Sequence, residues 1–486
     1  MALDQSTSAS KALLLDAQGE VVAKAARTHA QHHPAPGRVE HDAQEIWVNV
    51  LAVLTEAMAG IDPTEIAALA LCNQRETTVV WERATGRPIA PAIVWQDTRG
   101  GEIIADMKSR DPALAQAIQE RTGLQLSVYF AAAKLASILR DVPRALSRAK
   151  AGELCAGTVD SYLLFRLTGT HRTDVTNASR TQLMDLRTLA WDPEICAAFG
   201  IPLACLPEIL PSDTHFGDTV CDGLPRGLHV TGVMGDSHAA FFAHGCTTSG
   251  MAKATFGTGS SVMLHVGNEP VTTPHGLSMS VGYGFRGETA YVLEGNITSS
   301  GDTLCWLRDE LAMIHDIDEA EPLAASVPDA QGVYLVPAFS GLGAPHFAES
   351  ARALLCGITR GTTCAHVVRA ALESIAYQER DVLDAMRESG TQWNSLRVDG
   401  GPTRNALLMQ LLADVLDCPV ECATISEMSP MGVGLMAGLT VGLYPDLQAL
   451  VEGRLHRDKA YRPAMDAAVR EEKLVGWREA VARAKL

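Results

Sequence analysis

The chain has 486 residues, 47% hydrophobic and 20% charged, with a formal net charge of −17. That excess of carboxylates argues against a nucleic-acid surface or an anionic membrane as partner. It leaves room for an anionic ligand held by backbone N–H groups and a divalent cation. At roughly 100–200 residues per domain, the length suggests two large domains, able to bury a core without disulfides or structural metal.

The eleven cysteines form no C-x-x-C pair. The closest two, Cys418 and Cys422, have no His/Cys cluster beside them to complete a zinc site. Reduced thiols, no signal-peptide pattern at the first residues and no run near the ~20 apolar residues of a spanning helix predict a cytoplasmic protein.

From Met1 to Val22, short apolar runs are separated by turns at Gln5–Ser10 and Ala17–Gly19, which reads as an antiparallel meander. Asp42–Met58 reads as a helix, with Asp42 and Glu45 in capping-box spacing and a stripe of Ile46, Val50, Leu51, Leu54 and Met58. Buried strands are expected at Ile66–Leu71 and Ile93–Trp95, a helix at Thr158–Leu167, and a strand at Leu228–Met234 that runs into Gly235-Asp236-Ser237. A helix over His238–Gly245 closes the first half.

The pattern then restarts. Thr255–Ser261 is rich in Gly, Ser and Thr, with strand residues Val262-Met263-Leu264 after it. Helices are predicted over Ala365–Met386 and Asn405–Leu416. Strands alternating with helices, twice over, predict an α/β fold divided at residues 1–245 and 246–486.

Both hairpin tips could hold phosphate. Asp4-Gln5-Ser6-Thr7-Ser8 offers hydroxyls, turn N–H groups and a carboxylate suited to Mg²⁺; the residues alone read more simply as an ordinary polar turn. Gly257-Thr258-Gly259 would let phosphate approach the backbone. Asp399-Gly400-Gly401, between a strand and a helix start, is either a flat-ligand platform or a plain turn. Asp236, at a strand's C-terminal end, is either a helix N-cap or a general base. Arg75 and Glu76 could bind vicinal hydroxyls or be an incidental loop pair. Trp95 and Tyr129 sit beside polar turns and could be simple core.

Taken together, these segments resemble the FGGY family of carbohydrate kinases, and within it the glycerol kinases, over nearly the whole chain. The resemblance lies in Val39–Asp42, Asn73–Thr78, Ile93–Asp97, Gly157–Asp160, Thr176–Thr181, Val336–Phe339, Gly341–Pro345, Leu372–Gln378 and Val398–Gly401. It implies two actin-like (ribonuclease-H-like) domains with an active-site cleft between them, and ATP-dependent phosphorylation of glycerol or a related small polyol with Mg²⁺. By the same resemblance, Asp236 is the catalytic base and Asp4 the acidic residue near the metal. Thr7, Ser8, Lys11 and Thr258 would hold phosphates, and Gly301, Gly401 and Asn405 the adenosine. Arg75, Glu76, Trp95 and Tyr129, with Asp236 and Ser237, would line the polyol pocket. A homo-oligomer is left open.

The sequence departs from the family pattern at Ser237 (usually Gln), Ser261 (often Phe), Cys305 (usually Gln), Ser6 (usually Gly) and Ser137 (usually Trp). Family members usually begin several residues before the position of Met1, which raises a start-site question. Short Ser237 and Ser261 favour a larger alditol or ketose; Arg75-Glu76 favours glycerol. A non-catalytic actin-like nucleotide-binding protein is the alternative from another class, opposed by the presence of Asp236.

Overall fold

The computed structural model describes residues 1–274, 276–425, 427–451 and 460–486. The opening meander forms the strands Ala2–Gln5, Ala9–Leu15 and Val21–Thr28. Ala2–Gln5 is buried throughout and lies mid-sheet, antiparallel to Ala9–Leu15 and parallel to Leu69–Asn73. The next strand, His229–Gly235, runs parallel to Leu69–Asn73, and His215–Asp218 completes the six-stranded sheet as an antiparallel edge. Strands covered on both faces read as continuous apolar runs, which is why no alternation marks them in the sequence.

The second half repeats this order around Met251–Phe256. That strand is antiparallel to Ser260–Gly267 and parallel to Ser395–Gly400, which in turn pairs with Val420–Cys422. Ser278–Phe285, Glu288–Ile297 and Ala460–Tyr461 extend this sheet to seven strands. The restart read in the sequence is therefore a repeat of topology, two α/β units each opening on a hairpin.

The halves also share a core. Helix Met428–Thr440 packs Met431, Val433, Met436 and Ala437 against Ala2, Ala70, Cys72 and Met234 of the first sheet and Ala239 of the helix that follows it. A Cβ on Gly432 would lie 1.9 Å from the carbonyl oxygen of Ala239, so only glycine admits this approach.

Several predicted ends shift. The first helix runs Ala43–Ala57 with Asp42 as its N-cap, but the capping box does not form. The Glu45 carboxylate instead accepts from the backbone N–H of Ala30, 3.2 Å away. The strand expected at Ile66–Leu71 is Leu69–Asn73, because Pro63–Glu65 forms a 3₁₀ turn first. Pairing expected to Trp95 stops at Ile93, since the Trp95 N–H donates to the Thr77 hydroxyl. The helix expected from His238 starts at Asp236. Among the described residues no helix is long and apolar enough to cross a membrane.

Candidate active site

Arg75 and Glu76 follow the strand Leu69–Asn73 at the C-terminal edge of the first sheet, and Asp236 follows the neighbouring strand His229–Gly235. Parallel pairing of these strands brings Asn73 beside Gly235, which sets both loops side by side. The Arg75 Nε lies 3.3 Å from the Asp236 carboxylate. Its two terminal nitrogens donate to both oxygens of Glu294, at 2.8 and 2.7 Å. Glu294 comes from the second sheet, so this bidentate pair crosses between the halves.

A second buried arginine completes the lattice. Arg180 donates through Nε to Glu76 at 2.7 Å and lies 2.9 Å from Glu294. All four side chains, Arg75, Glu76, Arg180 and Glu294, are buried. Burial alone would raise the Glu294 carboxyl, but Arg180 and Arg75 hold it well below the usual carboxylate range. Glu76 adopts a left-handed φ of 62°, costly for a non-glycine residue and sustained here by its pair with Arg180. The Ser261 hydroxyl donates to Glu294 at 3.2 Å, so the short residue at that position joins the lattice rather than simply leaving a gap.

Tyr129 and Trp95 pack edge to face with centroids 5.8 Å apart, and the Arg180 guanidinium lies 6.0 Å from the Tyr129 ring. The Tyr129 segment is fixed by a buried ammonium, Lys134, which donates to the carbonyls of Val128, Tyr129 and Phe130. Burial brings Lys134 down to about 7. Ser137, one turn on, donates to the Lys134 carbonyl.

The first hairpin reaches the same place. The Trp95 indole N–H donates to the Thr7 hydroxyl at 3.0 Å, joining hairpin tip to aromatic wall. Asp4 is buried, its carboxylate accepting from the Cys72 thiol at 3.4 Å. Burial, and then the nearby Asp236 carboxylate, push Asp4 up to about 7. Lys11 pairs with Glu427 at 3.0 Å, a partner at the start of helix Met428–Thr440, and Lys24 reaches the same carboxylate at 3.4 Å. Ser8 is exposed at the tip.

In the second half a cavity of about 520 Å³ is lined by Thr258, Gly301, Gly401 and Asn405, together with Cys305 and Leu408. The hairpin tip is clamped to helix Gly301–Asp309: the N–H groups of Ser300 and Asp302 donate to the Thr258 carbonyl, and that of Gly301 to Gly257. A Cβ at Gly301 would sit 2.5 Å from the Gly257 oxygen, whereas one at Gly401 would meet nothing within 4 Å. Glycine at 401 keeps the cavity wall flat. The Asn405 side chain caps helix Ala406–Leu416 by accepting from Leu408. Asp399 lies away from the cavity, accepting from the Thr255 hydroxyl at 2.7 Å.

The residues singled out in the sequence thus fall into two groups. Arg75, Glu76, Trp95, Tyr129, Asp236, Asp4 and Thr7 meet at one end of the first sheet; Thr258, Gly301, Gly401 and Asn405 share the cavity of the second half. Ser237 follows Asp236 and donates its backbone N–H to that carboxylate at 2.6 Å. Sequence reasoning missed Glu294, Arg180 as its partner, and Glu427. A single acid inside the apolar strand Ala-Tyr-Val-Leu-Glu-Gly was the available signal for Glu294.

Residues 1–243 match the model of the FGGY family of carbohydrate kinases, N-terminal domain, and residues 252–441 that of its C-terminal domain. A glycerol kinase of Nocardia farcinica is 47% identical over 491 residues, covering 99% of this chain and 98% of that protein. One from a Shewanella species is 45% identical over 490 residues, covering 100% and 99%. Among solved structures, Plasmodium falciparum glycerol kinase with ADP superposes with a TM-score of 0.95 at 33% identity, covering 100% of this chain and 98% of that one. Xylulose kinase from Rhodospirillum rubrum shares the fold, with a TM-score of 0.89 at 24% identity over 99% and 97%.

Proposed function

The chain belongs to the FGGY family of carbohydrate kinases, and on that premise we propose that it transfers the γ-phosphoryl group of ATP to a hydroxyl of glycerol. The observation that carries this reading is the setting of Asp236. Its side chain is 35% exposed while the Arg75 that holds it is 6% exposed, so one accessible carboxylate stands on a buried, charge-balanced floor. A base in that position can take the acceptor proton as the oxygen attacks phosphorus in line and the bond to the leaving ADP oxygen breaks.

Arg75, Glu76, Trp95 and Tyr129 would position the polyol, with Ser237 beside the base. The Thr7, Ser8 and Lys11 hairpin would meet the phosphates from one side and Thr258 from the other. Gly301, Gly401 and Asn405 would border the adenosine. In this reading residues 1–245 carry acceptor and base, and residues 246–486 carry the nucleotide, in a cytoplasmic enzyme.

Asp4 fits a divalent cation: among the described residues its buried carboxyl has no cationic hydrogen-bonding partner, and burial and then Asp236 push it up, a repulsion that a cation relieves. Mg²⁺ bound there would supply charge neutralisation of the triphosphate.

The test is kcat/KM with ATP for glycerol, erythritol, threitol and xylulose. Glycerol should be the best acceptor. Ser237 and Ser261, half-buried and short, favour a second reading with a longer acceptor; activity on erythritol or xylulose with glycerol inert would establish that one instead.

A further inference from the structure

Far from the cleft, the edge of the first sheet carries three convergent donors. His215 and Asp218 lie on the edge strand and His229 begins its antiparallel neighbour, with Asp218 directly opposite His229 in the ladder. The His215 Nε2 is 2.8 Å and the His229 Nδ1 2.6 Å from one oxygen of Asp218. The rings meet edge to face with centroids 5.1 Å apart, and one donor atom from each of the three residues falls within 4.8 Å of the others. All three side chains are solvent-accessible, between 45% and 60% exposed. Arg172 donates to the carbonyls of His215 and Phe216 and is already paired with Glu208 at 3.1 Å.

We propose that His215, Asp218 and His229 form a surface site for a first-row transition ion such as Zn²⁺ or Co²⁺. Two imidazoles and one carboxylate are a borderline donor set, suited to these ions and not to Mg²⁺ or Ca²⁺. Tetrahedral coordination with metal–ligand bonds of about 2.0–2.2 Å separates donor atoms by about 3.3 Å. From 2.8 and 2.6 Å the two nitrogen–oxygen separations would open by about 0.5–0.7 Å, while the set of donor atoms, now spread over up to 4.8 Å, would draw in to that spacing. The cross-strand ladder preorganises two of them, and water would fill the open positions. His229 begins the strand that ends at Gly235, and at about 3.3 Å per residue Asp236, seven residues on, lies up to about 23 Å from the ion. Its role would be to rivet the edge strand to the sheet, outside the chemistry.

Co²⁺ titration of chelator-treated full-length protein, followed by visible d–d absorption, tests the site. The wild type should bind one ion per chain at this site, with no thiolate charge-transfer band, and His229→Ala and His215→Ala should each weaken binding at least tenfold. Kinase turnover in both variants should equal that of the wild type, which confirms that they fold. Asp218→Asn, which keeps the shape and removes the charge, should weaken binding as well. Binding unchanged in both histidine variants, a thiolate band, or no binding by the wild type would overturn the proposal.

Discussion

Asp236 and Glu294 make different demands on their carboxylates. As the proposed base, Asp236 would accept a proton, so Asp236→Asn keeps its shape and its contact with Arg75 but should lower kcat by about 10²–10⁴-fold. ATP affinity, measured by nucleotide binding, should stay near the wild-type value; more than about a tenth of wild-type kcat would remove Asp236 from the role of base. Glu294 must carry charge between Arg75 and Arg180. Glu294→Gln leaves two buried guanidinium groups without their shared counter-ion, which should cost about 3 kcal/mol in denaturant unfolding. The polyol KM should rise more than the ATP KM, because Arg75 loses the partner that orients it. Equal changes in both KM values would show a general loss of structure instead.

Helix Gly301–Asp309 holds its hairpin at contact distance. Gly301→Ala places a Cβ against the Gly257 oxygen and must push the Thr258 tip away. Misplacement by about 1 Å can cost up to ~10²-fold, so the ATP KM should rise by about tenfold or more while the polyol KM holds. The long helix Cys364–Arg387 makes a pH prediction. It buries Glu379, whose oxygens make no hydrogen bond of ordinary geometry among the described residues, though the Ser260 hydroxyl lies close enough to favour the charged form. Burial pushes this carboxyl from 4.5 up to about 8, with Ser260 and Lys253 opposing. A folded value above the unfolded one means stability that is complete below about pH 4.5 and is lost as pH rises through 8, by at most about 1.4 kcal/mol per unit. Glu379→Gln has no such dependence. The melting temperature of the variant minus that of the wild type should therefore increase from pH 5.5 to 8.5; a flat difference would show that Glu379 ionises freely.

At the scale of the molecule, the residues proposed to hold the acceptor lie mainly in the first half and the cavity proposed for the nucleotide in the second. The Arg75–Glu294 and Lys11–Glu427 pairs join the two halves. A phosphoryl donor must be shielded from water, so the halves should draw together when both ligands are present. Small-angle scattering with glycerol and a non-hydrolysable ATP analogue should show a smaller radius of gyration than either ligand alone gives. An unchanged radius would mean that the cleft needs no closure.

The elements and their duplication were legible in the sequence because periodicity and turn chemistry are local: Asp42 caps a helix whose stripe is visible between Ile46 and Met58, and the two Gly/Ser/Thr tips stand out between apolar runs. Asp236, Arg75 and Gly401 could be picked out because each sits at a strand end, where main-chain topology alone directs residues to a cleft. Glu45 was misread because its oxygens had a closer donor in Ala30, fifteen residues back and outside the helix. Which charges meet was decided by the tertiary structure. Arg75 and Glu294 are 219 residues apart, and Lys11 and Glu427 are 416 apart. No local pattern distinguishes their union from any other pairing of opposite charges. Only the apposition of two folded sheets takes these groups out of water together, and it is that shared desolvation that selects each one's partner.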